Sequence, residues 1–428
     1  MSRLRSFVLV VQVAGALASY SAIAAAAPGG WEPPAVLDPG TPLELTRIGT
    51  PAIADVAYLG VLFDEPVNSL ELARVALSQE PPTATFVPVA SGGIFALGPI
   101  VEASGKVGFP YLDSNFDLFF AQCTPPCNSV THPLVHPGSN YVDTSAAAAG
   151  GRFYVAATDF ASGSIIVRSS FDGTNWAPHR TLAPVDLYVN FDGGKRIQLI
   201  VDPAATDPST AFNCLLYELL PPPGTVTQVR INCANGDTVA FNQAIDFDLP
   251  NPLGKFDSKI ETAARVSGNG REGPSALFAY THRSSNTVRG VVVDPSGILD
   301  GPVVLSGAPD GDLLYGLGVV STSPGSDRMI WPNLPGDLAT DVEWNPIPGP
   351  RIFGPGPAID PGPITLLAWE QTGDPADAFL FAFAAIPASR WQVAPIGGSR
   401  LGVSRFRLPF FEDGFEGGDT LAWSVTVP

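Results

Sequence analysis

Apolar and polar positions alternate along the chain in one recurring sequence: an apolar strand, an acidic or polar stop, a short polar turn and a second apolar strand. Five copies are clear. They are YLGVLFD with SLELARVAL from Tyr58, VGFPYLDSNFDLFFAQC from Val107, FYVAATDFASGSIIVRSS from Phe153, SALFAYTHRSSNTVRGVVV from Ser275 and ITLLAWEQTGDPADAFLFAF from Ile364. Two weaker copies start at Ala211 and Asp327. A lone hairpin cannot bury its apolar face and must stack against its copies, so the pattern predicts a repeat architecture.

Equivalent points fall at Leu62, Leu112, Thr158, Tyr217, Thr281, Trp331 and Trp369. Their spacing of roughly 50 residues is that of propeller blades, each of which needs four strands. Further apolar segments such as GGIFALGPIVEAS, YVDTSAAAA and LLYGLGVVSTS precede the paired strands and supply a third. No long window carries apolar residues at helical spacing, and Gly and Pro each number 44, a turn-rich all-β composition. The expectation is a single all-β propeller of seven blades over residues 43–403, with six or eight blades and a pair of β-sandwiches as alternatives. A sandwich has no need of one paired-strand unit seven times, whereas a ring of blades does.

Residues 1–27 read as a secretory signal: Arg3 and Arg5 open it, FVLVVQVAGAL forms the apolar centre, and AIAAAA supplies small residues for cleavage. Once it is cleaved, no transmembrane segment is expected. Four cysteines in an exported chain imply two disulfides. Cys123 and Cys127 bracket the tight loop CTPPC, and Cys214 and Cys233 sit in apolar strands on either side of PPPGTVT, so each pair would staple one hairpin. With 23 basic against 41 acidic residues and lysine only at Lys106, Lys195, Lys255 and Lys259, no basic tract could hold a polyanion, which argues against nucleic acid. A monomer is expected.

Two segments carry a resemblance to known proteins. PYLDSNFDLFFAQCTPPCNS resembles secreted bacterial propeller repeats, and IIVRSSFDGTNWAPHRTL resembles the Asp-box turns of sialidase-like propellers through Ser170, Asp172, Gly173 and Trp176. The form here is S-x-D-G-x-x-W rather than the longer S-x-D-x-G-x-T-W. Asp172 is placed to accept its own turn's amides, Gly173 tolerates a positive φ, and Trp176 packs beneath the next strand. In sialidase-like folds the Asp box is a structural turn, so the resemblance implies fold and not chemistry. Residues 404–428 differ in kind: Phe411, Asp413, Gly414, Phe415, Glu416, Gly418, Asp419 and Trp423 resemble a short tail of the form FxDGFExGDxxxW found on exported bacterial proteins. That tail reads either as a sorting signal or as a strand that docks on the propeller.

Candidate chemistry is sparse. The polar stops Asp64, Asp113, Asp159, His282 and Glu370 would share one rim if the units are equivalent, as a ligand-binding edge or as caps for their own turns. GNGREG at Gly268–Gly273 matches a dinucleotide fingerprint by letters, but Pro274 and a strand follow where a helix is required. His132 and His136 have the spacing of helical zinc ligands, which Pro133 and Pro137 forbid. No catalytic constellation or metal site is assigned and no cofactor is expected; a Ca²⁺ loop at Asp413, Glu416 and Asp419 is the one cation alternative. The sequence favours a non-catalytic binding module for a glycan or protein ligand. A carbohydrate-active hydrolase or lyase and a structural envelope protein are the alternatives.

Overall fold

The structure is a computed structural model that describes residues 30–31, 35–38, 42–45, 56–63, 69–76, 79–138, 140–159, 161–182, 197–219, 227–248, 262–267, 275–282, 285, 287–304, 318–323, 326–332, 338–345, 349–358, 364–371, 377–384 and 401–407. The leader, the Gly-rich stretch 268–274 and the tail beyond 407 lie outside them. Among the described residues there are thirty strands and no helix, grouped into seven antiparallel sheets.

Numbered in chain order, the first sheet comprises Pro42–Leu45, Val56–Phe63, Ser69–Ala76 and Thr83–Ser91. The second begins with a broken strand, Ile94–Leu97 and Val101–Ala103, and continues through Lys106–Asp113, Leu118–Cys123 and Leu134–His136. The third holds Tyr141–Ala149, Arg152–Asp159, Ser164–Ser170 and Ala177–Leu182, and the fourth Gln198–Val201, Phe212–Leu219, Thr227–Asn235 and Thr238–Asp248. Thr262–Ser267, Ser275–His282, Thr287–Asp294 and Gly297–Val304 make the fifth, and Gly318–Ser323, Ser326–Pro332, Leu338–Asn345 and Gly349–Ala358 the sixth. The seventh runs Ile364–Gln371, Asp377–Ala384, Leu401–Arg407 and is completed by Gly30–Trp31 and Ala35–Asp38, both antiparallel to Leu401–Arg407.

First strands touch first strands in succession from the third sheet to the seventh, and the seventh returns to the first. The chain is therefore an all-β propeller, with the seventh sheet closed by strands from both ends of the described chain.

Burial follows from this stacking. The apolar clusters lie between sheets rather than within them: one joins the first and second, one the second and third, one the third and fourth, and one the fourth and fifth. A strand in the middle of a sheet is thus covered on both faces, which is why second strands read as continuous apolar runs instead of alternating ones. Lys106–Asp113 and Arg152–Asp159 are buried at every position but their ends. The outer strands Thr83–Ser91 and Ala177–Leu182 are mostly exposed or half-buried. The largest fully buried side chains, Phe109, Phe153, Tyr154, Tyr217, Phe278 and Tyr280, all belong to second strands, and Phe120 packs from a third strand between Phe153 and Trp176, 5.0 Å from each ring.

Both disulfides form, Cys123 with Cys127 and Cys214 with Cys233. Cys214 and Cys233 are direct cross-strand partners in the fourth sheet, so the bond ties its second strand to its third.

Candidate functional site

Six sheets place the repeated hairpin on their second and third strands; the seventh places it on the first and second. Asp113, Asp159 and His282 each end a second strand and so reach the same edge of the ring. Glu370 lies near the end of Ile364–Gln371, a first strand. Sheets of four antiparallel strands all start from one edge, so the end of a first strand sits opposite the end of a second one. This corrects the expectation of one rim for that residue: the seventh sheet takes its outer strand from the start of the chain, which moves its hairpin inward by one position. Asp64 lies outside the described residues.

At the described positions the stops cap their own turns. Asp113 Oδ1 accepts the amides of Asn115 and Asp117, both at 2.9 Å, and Oδ2 accepts Asn115 Nδ2 at 3.1 Å. Asp159 Oδ1 accepts the amide of Ala161 at 3.0 Å, while Oδ2 accepts the Ser162 hydroxyl at 2.7 Å. A short carboxylate at the mouth of a tight turn is well placed for this, because its oxygens reach amides two residues on that no ladder satisfies.

His282 belongs to a larger arrangement at the seam of the fourth and fifth sheets. Asp246, on the outer strand of the fourth, accepts the Tyr280 hydroxyl at 2.6 Å and Arg289 Nη1 at 2.7 Å, both from the fifth. His282 Nε2 donates to the Phe247 carbonyl at 3.0 Å, which leaves Nδ1 to accept from Ser285 Oγ at 2.7 Å. Ser285 Oγ also meets Thr287 Oγ1 at 2.7 Å and Arg289 Nη2 at 3.4 Å. Serine, histidine and aspartate are assembled here, but not as a proton relay. Asp246 Oδ1 is 3.9 Å from His282 Nε2, beyond hydrogen-bond reach, and the carboxylate is neutralised by Arg289 instead. The arrangement clamps one sheet to the next, with Phe247 exposed beside it. Sequence reasoning singled out His282 and missed Asp246, Tyr280, Ser285 and Arg289. One signal was available: a Tyr-Arg cross-strand pair recurs at Tyr217↔Arg230 and Tyr280↔Arg289 in adjacent sheets.

The segment from Ser170 to Trp176 joins the third and fourth strands of the third sheet, at the opposite edge from Asp159. Asp172 Oδ1 accepts the amides of Thr174 and Asn175, both at 2.8 Å, and Oδ2 accepts Asn175 Nδ2 at 2.6 Å. The amides of Asn175 and Thr174 hold the carboxyl far below the usual carboxylate range. Ser170 Oγ accepts the Gly173 amide at 2.9 Å, and Trp176 Nε1 donates to the Gly173 carbonyl at 3.2 Å. Gly173 has φ +70°, and a Cβ there would lie 2.0 Å from Gln122 Oε1 of the second sheet, so both conformation and space demand glycine. Lys106 Nζ, also from the second sheet, donates to the Asp172 carbonyl at 2.8 Å. The turn is an inter-sheet rivet.

His132 and His136 do not converge. His136 lies on Leu134–His136 and bonds the Tyr141 hydroxyl, while His132 Nδ1 meets the Tyr111 hydroxyl at 3.1 Å. Among the described residues no group of three or more His, Cys, Asp or Glu could hold a metal ion, and no helix is long and apolar enough to cross a membrane. The tail acids Asp413, Glu416 and Asp419 fall outside the described residues.

No protein-family model matches the chain, and no curated protein matches it. Solved structures with a partial likeness include the SapL1 lectin in complex with alpha methyl fucoside, at 12% identity and a TM-score of 0.48 over 75% of this chain and 98% of that one. The WD40 domain of Toxoplasma gondii coronin is 9% identical, with a TM-score of 0.48 over 89% and 86%. An oligogalacturonate lyase in complex with manganese is 11% identical, with a TM-score of 0.46 over 88% and 98%. Likenesses this distant carry no argument about what this chain binds or does.

Proposed function

We propose that the protein is an exported, seven-bladed propeller that serves as a non-catalytic binding module for a glycan or protein ligand. The observation that supports binding over catalysis is the engagement of the polar stops. Asp113 and Asp159 each commit both carboxylate oxygens to donors of their own turns, and His282 commits both ring nitrogens to Ser285 and the Phe247 carbonyl. A general acid or base must exchange a proton with a substrate, whereas groups held in this way fix the shape of the loops a ligand would meet. Export is supported by the two disulfides, which persist in oxidising compartments.

The test is to probe purified full-length protein on glycan and cell-surface protein arrays, alongside hydrolase and lyase assays on the same saccharides. Saturable binding without turnover is expected. Turnover of any saccharide, or the absence of any bound ligand, overturns the reading.

A further inference from the structure

The outer strand of the third sheet, Ala177–Leu182, slips in register against Ser164–Ser170: Val167 faces Arg180 while Arg168 faces Pro178, leaving His179 as the extra residue of a bulge. A bulge re-aims side chains, and here it sends Arg180 across to the fourth sheet. His179 stacks edge-on against Tyr154 at 5.2 Å. Arg180 crosses to Asn232, with Nη1 donating to Oδ1 at 3.0 Å and Nη2 to the backbone carbonyl at 3.2 Å. Arg152 completes the group. Its guanidinium lies 3.3 Å over the ring of Phe171 and Nη1 donates to Ser169 Oγ at 3.4 Å; protonation of His179 is disfavoured first by burial and then by the charges of Arg180 and Arg152.

Among the described residues, each of these three basic side chains keeps one buried nitrogen with no hydrogen-bond partner: Arg152 Nε, His179 Nε2 and Arg180 Nε. Arg180 is only 9% exposed, and among the described residues it contacts no carboxylate. A guanidinium does not shed its proton at physiological pH, and burying it without a counter-charge is costly. The acids whose fields reach the neighbouring side chains, Asp237 at His179 and Asp207 at Tyr154, are exposed, where water and salt weaken them. Phe171, 54% exposed, lies against the Arg152 guanidinium, so Arg152 is the member of the group nearest solvent.

We propose that this seam between the third and fourth sheets binds an oxyanion, the carboxylate, sulfate or phosphate group of a small acidic ligand. Arg180 supplies the counter-charge, and Arg152 and His179 supply the flanking donors. Neutral His179 can donate through Nε2, and guanidinium to oxyanion pairs are among the stronger hydrogen bonds available. The site does not depend on the binding-module reading, since an oxyanion site stands whether or not an array finds a glycan.

The experiment is isothermal titration of full-length protein with sodium sulfate and, separately, sodium glucuronate, at constant ionic strength set with chloride and with neutral glucose as control. Arg180→Met removes the charge. Asn232→Asp places a carboxylate against the guanidinium while keeping side-chain size, so it remains informative if Arg180→Met fails to fold. Wild type is expected to bind at least one of the two anions saturably and glucose not at all, with affinity falling by about tenfold or more in each folded variant. Tighter binding of glucuronate assigns the site to an acid borne on a sugar, and tighter binding of sulfate to a free ion. No saturable binding by wild type, or undiminished binding by Asn232→Asp, overturns the proposal.

Discussion

Two adjacent seams of the ring handle an arginine in opposite ways, Arg289 half-buried and Arg180 buried. Between the fourth and fifth sheets, Arg289 meets the carboxylate of Asp246 at 2.7 Å, and the same carboxylate takes the Tyr280 hydroxyl. Between the third and fourth, Arg180 donates to the side-chain and backbone carbonyls of Asn232 and, among the described residues, meets no carboxylate. The cores behind them are alike: each packs a second-strand tyrosine against aliphatic residues of the neighbouring sheet. Cys214 and Cys233 add a covalent tie to the core of the fourth and fifth sheets. Arg289 Nε and Arg180 Nε are both buried without a hydrogen-bond partner among the described residues, so the difference lies in charge: one seam sets a carboxylate against its arginine, while the other, among the described residues, does not. A charge retained at such cost marks the seam open to an outside partner.

The contrast can be broken from either side. Replacing Cys214 and Cys233 together with alanine should destabilise the fold by about 3 kcal/mol, read by urea denaturation, because the bond closes a loop spanning 19 residues. Asp246→Asn should cost roughly 2 to 3 kcal/mol by the same measurement, since it strands Arg289 without its counter-charge. A loss below about 0.5 kcal/mol would show that the clamp contributes no more than a solvated surface pair. Tyr280→Phe removes one hydrogen bond to a charged acceptor and should cost about 1.5 kcal/mol. Asn232→Asp should make the open seam resemble the closed one and, without added anion, raise stability by about 1 kcal/mol. Destabilisation by this change would mean that Arg180 is already neutralised.

The repeat unit was legible because second strands are covered on both faces, so FYVAAT and LFAY stand out as unbroken apolar runs. Where a strand is half exposed the signal thins, and Ala177–Leu182 carries so few apolar residues that its bulge, and with it the pairing of His179 and Arg180, left no mark in the pattern. The shift of Glu370 to the opposite edge was hidden for another reason. It depends on which strand fills the last place of the seventh sheet, a long-range pairing between Ala35–Asp38 and Leu401–Arg407 that no local pattern encodes. Capping by Asp113, Asp159 and Asp172 was readable from residue type and turn position. The clamp at Asp246 was not, because its members come from two sheets and more than forty residues separate Asp246 from Arg289.

That long-range pairing also sets an order of events. A ring whose last sheet needs residues 30–38 beside residues 401–407 cannot lock until residues 401–407 have been made. Until then the six other sheets form an open arc with an apolar face bare at each end. Joining distant segments carries a large entropic cost before contacts repay it, so this latch is expected to be the slow step of assembly. Between the making of that last strand and its latching, every part of the arc is present and none of it is yet held as a ring.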